Sequence, residues 1–152
     1  GEGDREAVSA ARPLAAAALA ALLAPAAPGA LAGGELLVVN TDRGTAVRIP
    51  LRGAPFAVVS QHSIYDQPVA EEFAVDGAGR IALRAVSSPS AAVREYLGLT
   101  AAGARHAVAR VLPEVVFRIA AGAPQRLLAG GMERSFLELG GPGDRLVVRG
   151  RP

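Results

Sequence analysis

From Glu35 onward, glycine, proline and aspartate break the chain into short apolar segments in which apolar and polar residues alternate. A period of two is the spacing of a strand that buries one face. Segments 35–40, 46–51, 56–64, 69–76, 80–86, 115–120, 125–128, 135–139 and 146–149 read this way. The separators are Asp42-Arg43-Gly44, Gly53-Ala54-Pro55, Asp76-Gly77-Ala78-Gly79, Gly122-Ala123-Pro124, Gly130-Gly131 and the run from Gly140 to Asp144. Short strands at this spacing predict an all-β domain, a small antiparallel β-sandwich or open barrel. Val47, Ile49 and Leu51 alternate with Arg48, which gives the sheet one wet and one buried face.

The interruption lies between Ser88 and Pro113. Ser88 is a suitable N-cap with Pro89 at the first helical position, Val93 and Leu97 fall four apart, and Gly98 can end the segment in a left-handed conformation. One short helix insertion over 89–97 is expected. Residues 100–112, with Arg105, His106 and Arg110 among alanines, fit either a helical turn or a mobile surface loop. Arg94, Arg105 and Arg110 are candidates for a basic patch beside the helix, or for ordinary solvated surface.

The amino terminus is not part of this pattern. Arg5 and Arg12 precede the apolar run from Leu14 to Ala24, followed by Pro25, Pro28, Gly29 and then Ala30-Leu31-Ala32. A charged region, an apolar stretch and a small-residue cleavage site, in that order, predict a secretory signal peptide over 1–32. The run is shorter than the roughly 20 residues of a spanning helix, so no stable membrane span is expected after cleavage. The competing readings are an uncleaved anchor and an alanine-rich helix. Cleavage would leave 33–152 as a single β-rich domain, exported to the periplasm.

Absences narrow the chemistry. The chain has no cysteine, which excludes thiol nucleophiles, iron–sulfur clusters and cysteine zinc sites, and its two histidines argue against a histidine-rich metal site. The formal net charge is +2 and the arginines are scattered among acids and aliphatics, unlike the basic stripe that nucleic-acid binding requires. No glycine-rich dinucleotide or phosphate loop and no G-x-S-x-G turn occurs, so no cofactor, metal or catalytic triad is expected.

One segment places polar chemistry among apolar neighbours. Phe56 to Asp76 reads as a hairpin, and a loop over Tyr65 to Pro68 pairs Ile64 with Val69 and His62 with Glu71. In that register an imidazole and a carboxylate meet on a face shared with Val58, Phe73 and Val75, where each is costly unless the other satisfies it. The pair could move a proton or hold a ligand, or it could be a cross-strand hydrogen bond that fixes register. Ser63 points to the opposite face and makes no nucleophile with His62, while Ser60 shares its face two residues along the strand and reaches it only in a strongly twisted sheet.

His62-Ser63-Ile64, then Pro68-Val69, then Glu71 and Phe73, resemble the H-S-hydrophobic, P-V-x-E-x-aromatic signature of a bacterial family catalogued as domain of unknown function 1850. The resemblance extends weakly to Arg80-Ile81-Ala82-Leu83 and Gly143-Asp144-Arg145-Leu146. That family is often encoded beside, or fused to, tripartite periplasmic (TRAP) transporters of the TAXI type, so the resemblance implies an envelope protein whose partners are transporter subunits. The resulting expectation is an exported, non-enzymatic β domain, an accessory or binding module with a small-molecule ligand or envelope partner. The alternatives are a small hydrolase or isomerase using His62 and Glu71, and a structural envelope interaction module.

Overall fold

The computed structural model describes residues 34–101 and 103–152; the expected signal segment lies outside them. The described chain runs β1 (Glu35–Asn40), β2 (Thr45–Pro50), β3 (Phe56–His62), β4 (Gln67–Val75), β5 (Ile81–Ser87), α1 (Ala91–Tyr96), β6 (Arg105–Leu112), β7 (Val115–Arg118), β8 (Arg126–Ala129), β9 (Met132–Ser135), a 3₁₀ turn (Phe136–Glu138) and β10 (Arg145–Arg151). These strands form a four-stranded sheet in the order β2-β1-β10-β7 and a six-stranded sheet in the order β6-β5-β4-β3-β8-β9. Every pairing is antiparallel. The expected all-β sandwich with one short helix is the architecture observed, and the sheets do not close into a barrel.

Alternation explains how the sheets face each other. Leu36 and Val38 of β1, with Leu146 and Val148 of β10, pack against Phe56, Val58, Phe73, Val75, Ile81 and Leu127 of the larger sheet. Phe56 opposes Phe73, and their rings stack with centroids 5.0 Å apart. Fully burying one such ring stabilises the fold by about 1.5–3 kcal/mol, so the stack anchors the β3–β4 hairpin to the core. One corner is tied by polar groups. Asn40, buried at the end of β1, donates to Leu139 O (3.2 Å) and Asp144 Oδ2 (2.9 Å) and accepts from the backbone N–H groups of Asp42 and Arg43. Those bonds from Asn40, with the Gly141 N–H and Arg43, hold the Asp144 carboxyl at a pKa of about 2.

Three elements depart from the alternation reading. β6 was expected as a helical turn or loop; its alanines and arginines have little intrinsic strand preference, and the ladder with β5 makes it a strand. The segment 135–139 is not a strand. Ser135 and Glu138 form a capping box, in which Leu137 N–H donates to Ser135 Oγ and Ser135 N–H donates to Glu138 Oε1. That local bonding turns the chain into a 3₁₀ turn in spite of its apolar pattern. The helix is capped by Ser90 rather than Ser88, its hydroxyl accepting from the Val93 N–H. Ser88 is wholly buried and instead donates its hydroxyl to Pro68 O at 2.8 Å. The other end is as expected. Gly98 has φ +71°, with Gly98 N–H bonded to Glu95 O and Leu99 N–H to Arg94 O, so the last carbonyls of α1 are satisfied.

Candidate functional site

The β3–β4 hairpin turns two residues earlier than the expected loop. Its turn is Ser63 to Asp66, closed by the Asp66 N–H on His62 O at 2.8 Å. Asp66 takes φ +49°, a conformation that Asp tolerates better than most residues, and Gln61 Nε2 clasps its carbonyl and carboxylate oxygens at 2.8 and 2.9 Å. Pro68 therefore falls inside β4, opposite Gln61. It is tolerated there because the β5 ladder begins only at Ala70, and the Pro68 carbonyl on that side is taken by Ser88.

This register separates the two polar residues that the sequence had brought together. His62 opposes Gln67, and Glu71 opposes Val58. They keep the same face, but four residues of strand, about 13 Å, lie between their positions. The expected His62–Glu71 opposition is thus corrected, and the cause is the left-handed Asp66, which moves the turn ahead of the proline. Glu71 sits between Val58 of β3 and Val86 of β5, half-buried, and burial raises its pKa. No side-chain hydrogen bond or ion pair reaches its carboxylate among the described residues. The histidine on its rung is His106, two strands away across Val86; it is buried, with Nε2 2.9 Å from Gly103 O.

What the tip of the hairpin does assemble is aromatic. The His62 ring lies 5.4 Å from Tyr65 and 4.8 Å from Tyr96 at the end of α1, and the two tyrosine rings are 6.1 Å apart. His62 Nδ1 is buried with no hydrogen-bond partner among the described residues. Outside this half-buried ring the patch is exposed: Ile64 at 63%, Tyr65 at 40%, Tyr96 at 58% and Leu97 at 40%. Among the described residues these are four of the eight large hydrophobic side chains left in solvent. Such clustering, rather than single exposure, marks a contact surface.

The signature residues divide between this tip and the interior. His62, Ser63 and Ile64 begin the turn, Pro68 and Val69 follow on β4, and Phe73 belongs to the core stack. Tyr96 and Leu97 gave no sign of belonging with them, since α1 returns to the tip only after the chain has run out along β4 and back along β5. One signal was available: Tyr65 and Tyr96 are the only tyrosines in the chain. Of the three arginines that could form a basic patch, Arg94 donates to Ser88 O and Pro89 O, and Arg105 pairs with Glu72. Among the described residues no three His, Cys, Asp or Glu side chains come together to hold a metal, and no helix is long and apolar enough to cross a membrane. No family model, curated protein or solved structure matches the chain.

Proposed function

We propose that this chain is an exported, non-catalytic accessory module of the bacterial envelope, linked to a TAXI-type TRAP solute transport system, and that it docks a transporter subunit through the β3–β4 tip. The observation that carries the reading is one of place. His62, the first residue of the signature that resembles the transporter-associated family, packs its ring 5.4 Å from the exposed Tyr65 and 4.8 Å from the exposed Tyr96, and Ser63 and Ile64 continue from it into the same turn. Tyrosines with aliphatic neighbours supply large contact area at low entropic cost and are enriched where interfaces concentrate their energy. The second reading, a hydrolase or isomerase using His62 and Glu71, has no geometric support, because the register holds the two residues apart.

The test is recovery of transporter subunits from envelope extracts on the tagged full chain. Tyr65→Ser combined with Tyr96→Ser removes the two rings packed on His62 without touching the sandwich core, and thermal unfolding of the variant checks that the fold is retained. Recovery should fall roughly tenfold or more, as truncation of interface anchors does. The control Val116→Ser, on an exposed residue of the other sheet, should leave recovery unchanged. Equal recovery with the double tyrosine variant would refute docking at the tip, and no subunit recovered with the unaltered chain would refute the transporter link.

A further inference from the structure

A second site lies on the opposite face of the six-stranded sheet, away from the sandwich core. One rung crosses four strands there: Glu72 of β4, Ala57 of β3, Leu128 of β8 and Glu133 of β9. Three strand spacings separate the two glutamates at the backbone, about 14 Å, and the residues between them are apolar. Ala57 is small, so the rung sinks between its ends, and a cavity of about 440 Å³ opens over it. Pro55 and Gly130-Gly131, which the β3–β8 register brings side by side, line one end of it, next to the exposed Met132. Gly130 has no room for a side chain, since a Cβ there would stand 2.3 Å from Pro50 O.

The only charged side chains that line this cavity, Glu72 and Glu133, are both acidic. Each is held from outside: Arg105 Nη2 lies 2.8 Å from Glu72 Oε1, and Arg126 Nη1 lies 2.9 Å from Glu133 Oε1, but neither arginine lines the space. Glu72 is nearly inaccessible and occupied by its arginine, whereas the Glu133 side chain is half exposed at the rim and its second oxygen accepts no hydrogen bond among the described residues. An apolar floor and an acidic rim suit a ligand with an apolar body and one positive end.

We propose that this groove binds a small organic cation, an amine or guanidine on a compact apolar or aromatic body, with the positive group at Glu133 and the body over Ala57 and Leu128. The volume is within the range of small-ligand sites and takes a molecule of up to roughly twenty heavy atoms. The site is independent of the aromatic tip, which lies at the far end of β3 and involves the other face.

Three probes with the same ring test it on the full chain, followed through the methyl signals of Leu128 and Met132: 2-phenylethylamine, 2-phenylethanol and 3-phenylpropanoate. The amine should give saturable shifts at both methyls and bind about tenfold tighter than the carboxylate, with the alcohol between them. Glu133→Gln, a change on an exposed edge strand, should weaken the amine roughly three- to fivefold and leave the alcohol unchanged. Equal binding of all three probes would overturn the cation preference while leaving a groove. Absence of saturable shifts at Leu128 and Met132, or an amine affinity unaltered by Glu133→Gln, would overturn the site as proposed.

Discussion

Replacing Glu71 with leucine should stabilise this domain, although a carboxylate on a motif strand invites the opposite expectation. The side chain stands between Val58 and Val86, half-buried, with no bonding partner among the described residues. Withdrawing a polar group from water without a hydrogen bond costs about 1–3 kcal/mol in mutational data, and partial burial places Glu71 near the lower end of that range. Leucine removes this cost and adds apolar contact with the two valines. The net gain is then about 1–2 kcal/mol, a rise in Tm of roughly 3–10 °C for a domain of this size. The pH dependence has a definite sign. Burial raises the Glu71 pKa above 4.5, so the folded state favours the protonated acid. The favourable contribution of that acid is complete below the ordinary carboxylate range and is lost as pH rises through the raised value. The advantage of Glu71→Leu over the unaltered protein should therefore be small in acid and grow as pH rises through that window. Urea unfolding of both proteins across this range measures it, with Glu71→Gln as the isosteric comparison. A Glu71→Leu protein less stable by 1 kcal/mol or more near neutrality, or a difference that does not change with pH, would show that the carboxylate has a stabilising partner and that the reasoning fails.

Two further outcomes follow from the fold. Asp144, held at a pKa of about 2 by the Asn40 amide, the Gly141 N–H and Arg43, lends stability that is present above its ordinary value of 3.8 and is lost as pH falls through about 2. Acid titration of Tm should show the unaltered protein losing its advantage over Asp144→Asn across that interval, and parallel acid curves would contradict it. Gly130→Ala should lower stability by about 2 kcal/mol or more, because φ is +60° and the new Cβ meets Pro50 O, whereas Gly143→Ala, with open space at its Cβ, should cost only the backbone strain of its positive φ, about 1 kcal/mol. Thermal unfolding of the two variants distinguishes backbone collision from backbone conformation, and equal losses would refute the collision.

Much of the architecture was legible because alternation and turn residues are local signals. β1 appears in the sequence with its observed ends, and β3, β4, β5 and β8 within one or two residues of theirs. β6 was not legible, because an alanine- and arginine-rich edge strand owes its conformation to the neighbour that pairs with it. The candidate site was legible only in part. His62 was expected buried against Glu71, whereas it stands half-buried beside Tyr65 and Tyr96, one of which is 34 residues distant and on a helix.

The sequence by itself determines that this chain builds a two-faced antiparallel sheet domain without thiol chemistry, since the period of two and the absence of cysteine are properties of the residues alone. Only the tertiary structure decides which polar groups meet. A single left-handed residue, Asp66, sets the turn two positions ahead of the proline, and in an antiparallel pair that displacement changes every opposing partner by four while leaving the faces unchanged. The faces could therefore be read from the sequence, whereas the separation of His62 from Glu71, the exposed aromatic tip and the acid-rimmed groove required the register and the packing of α1.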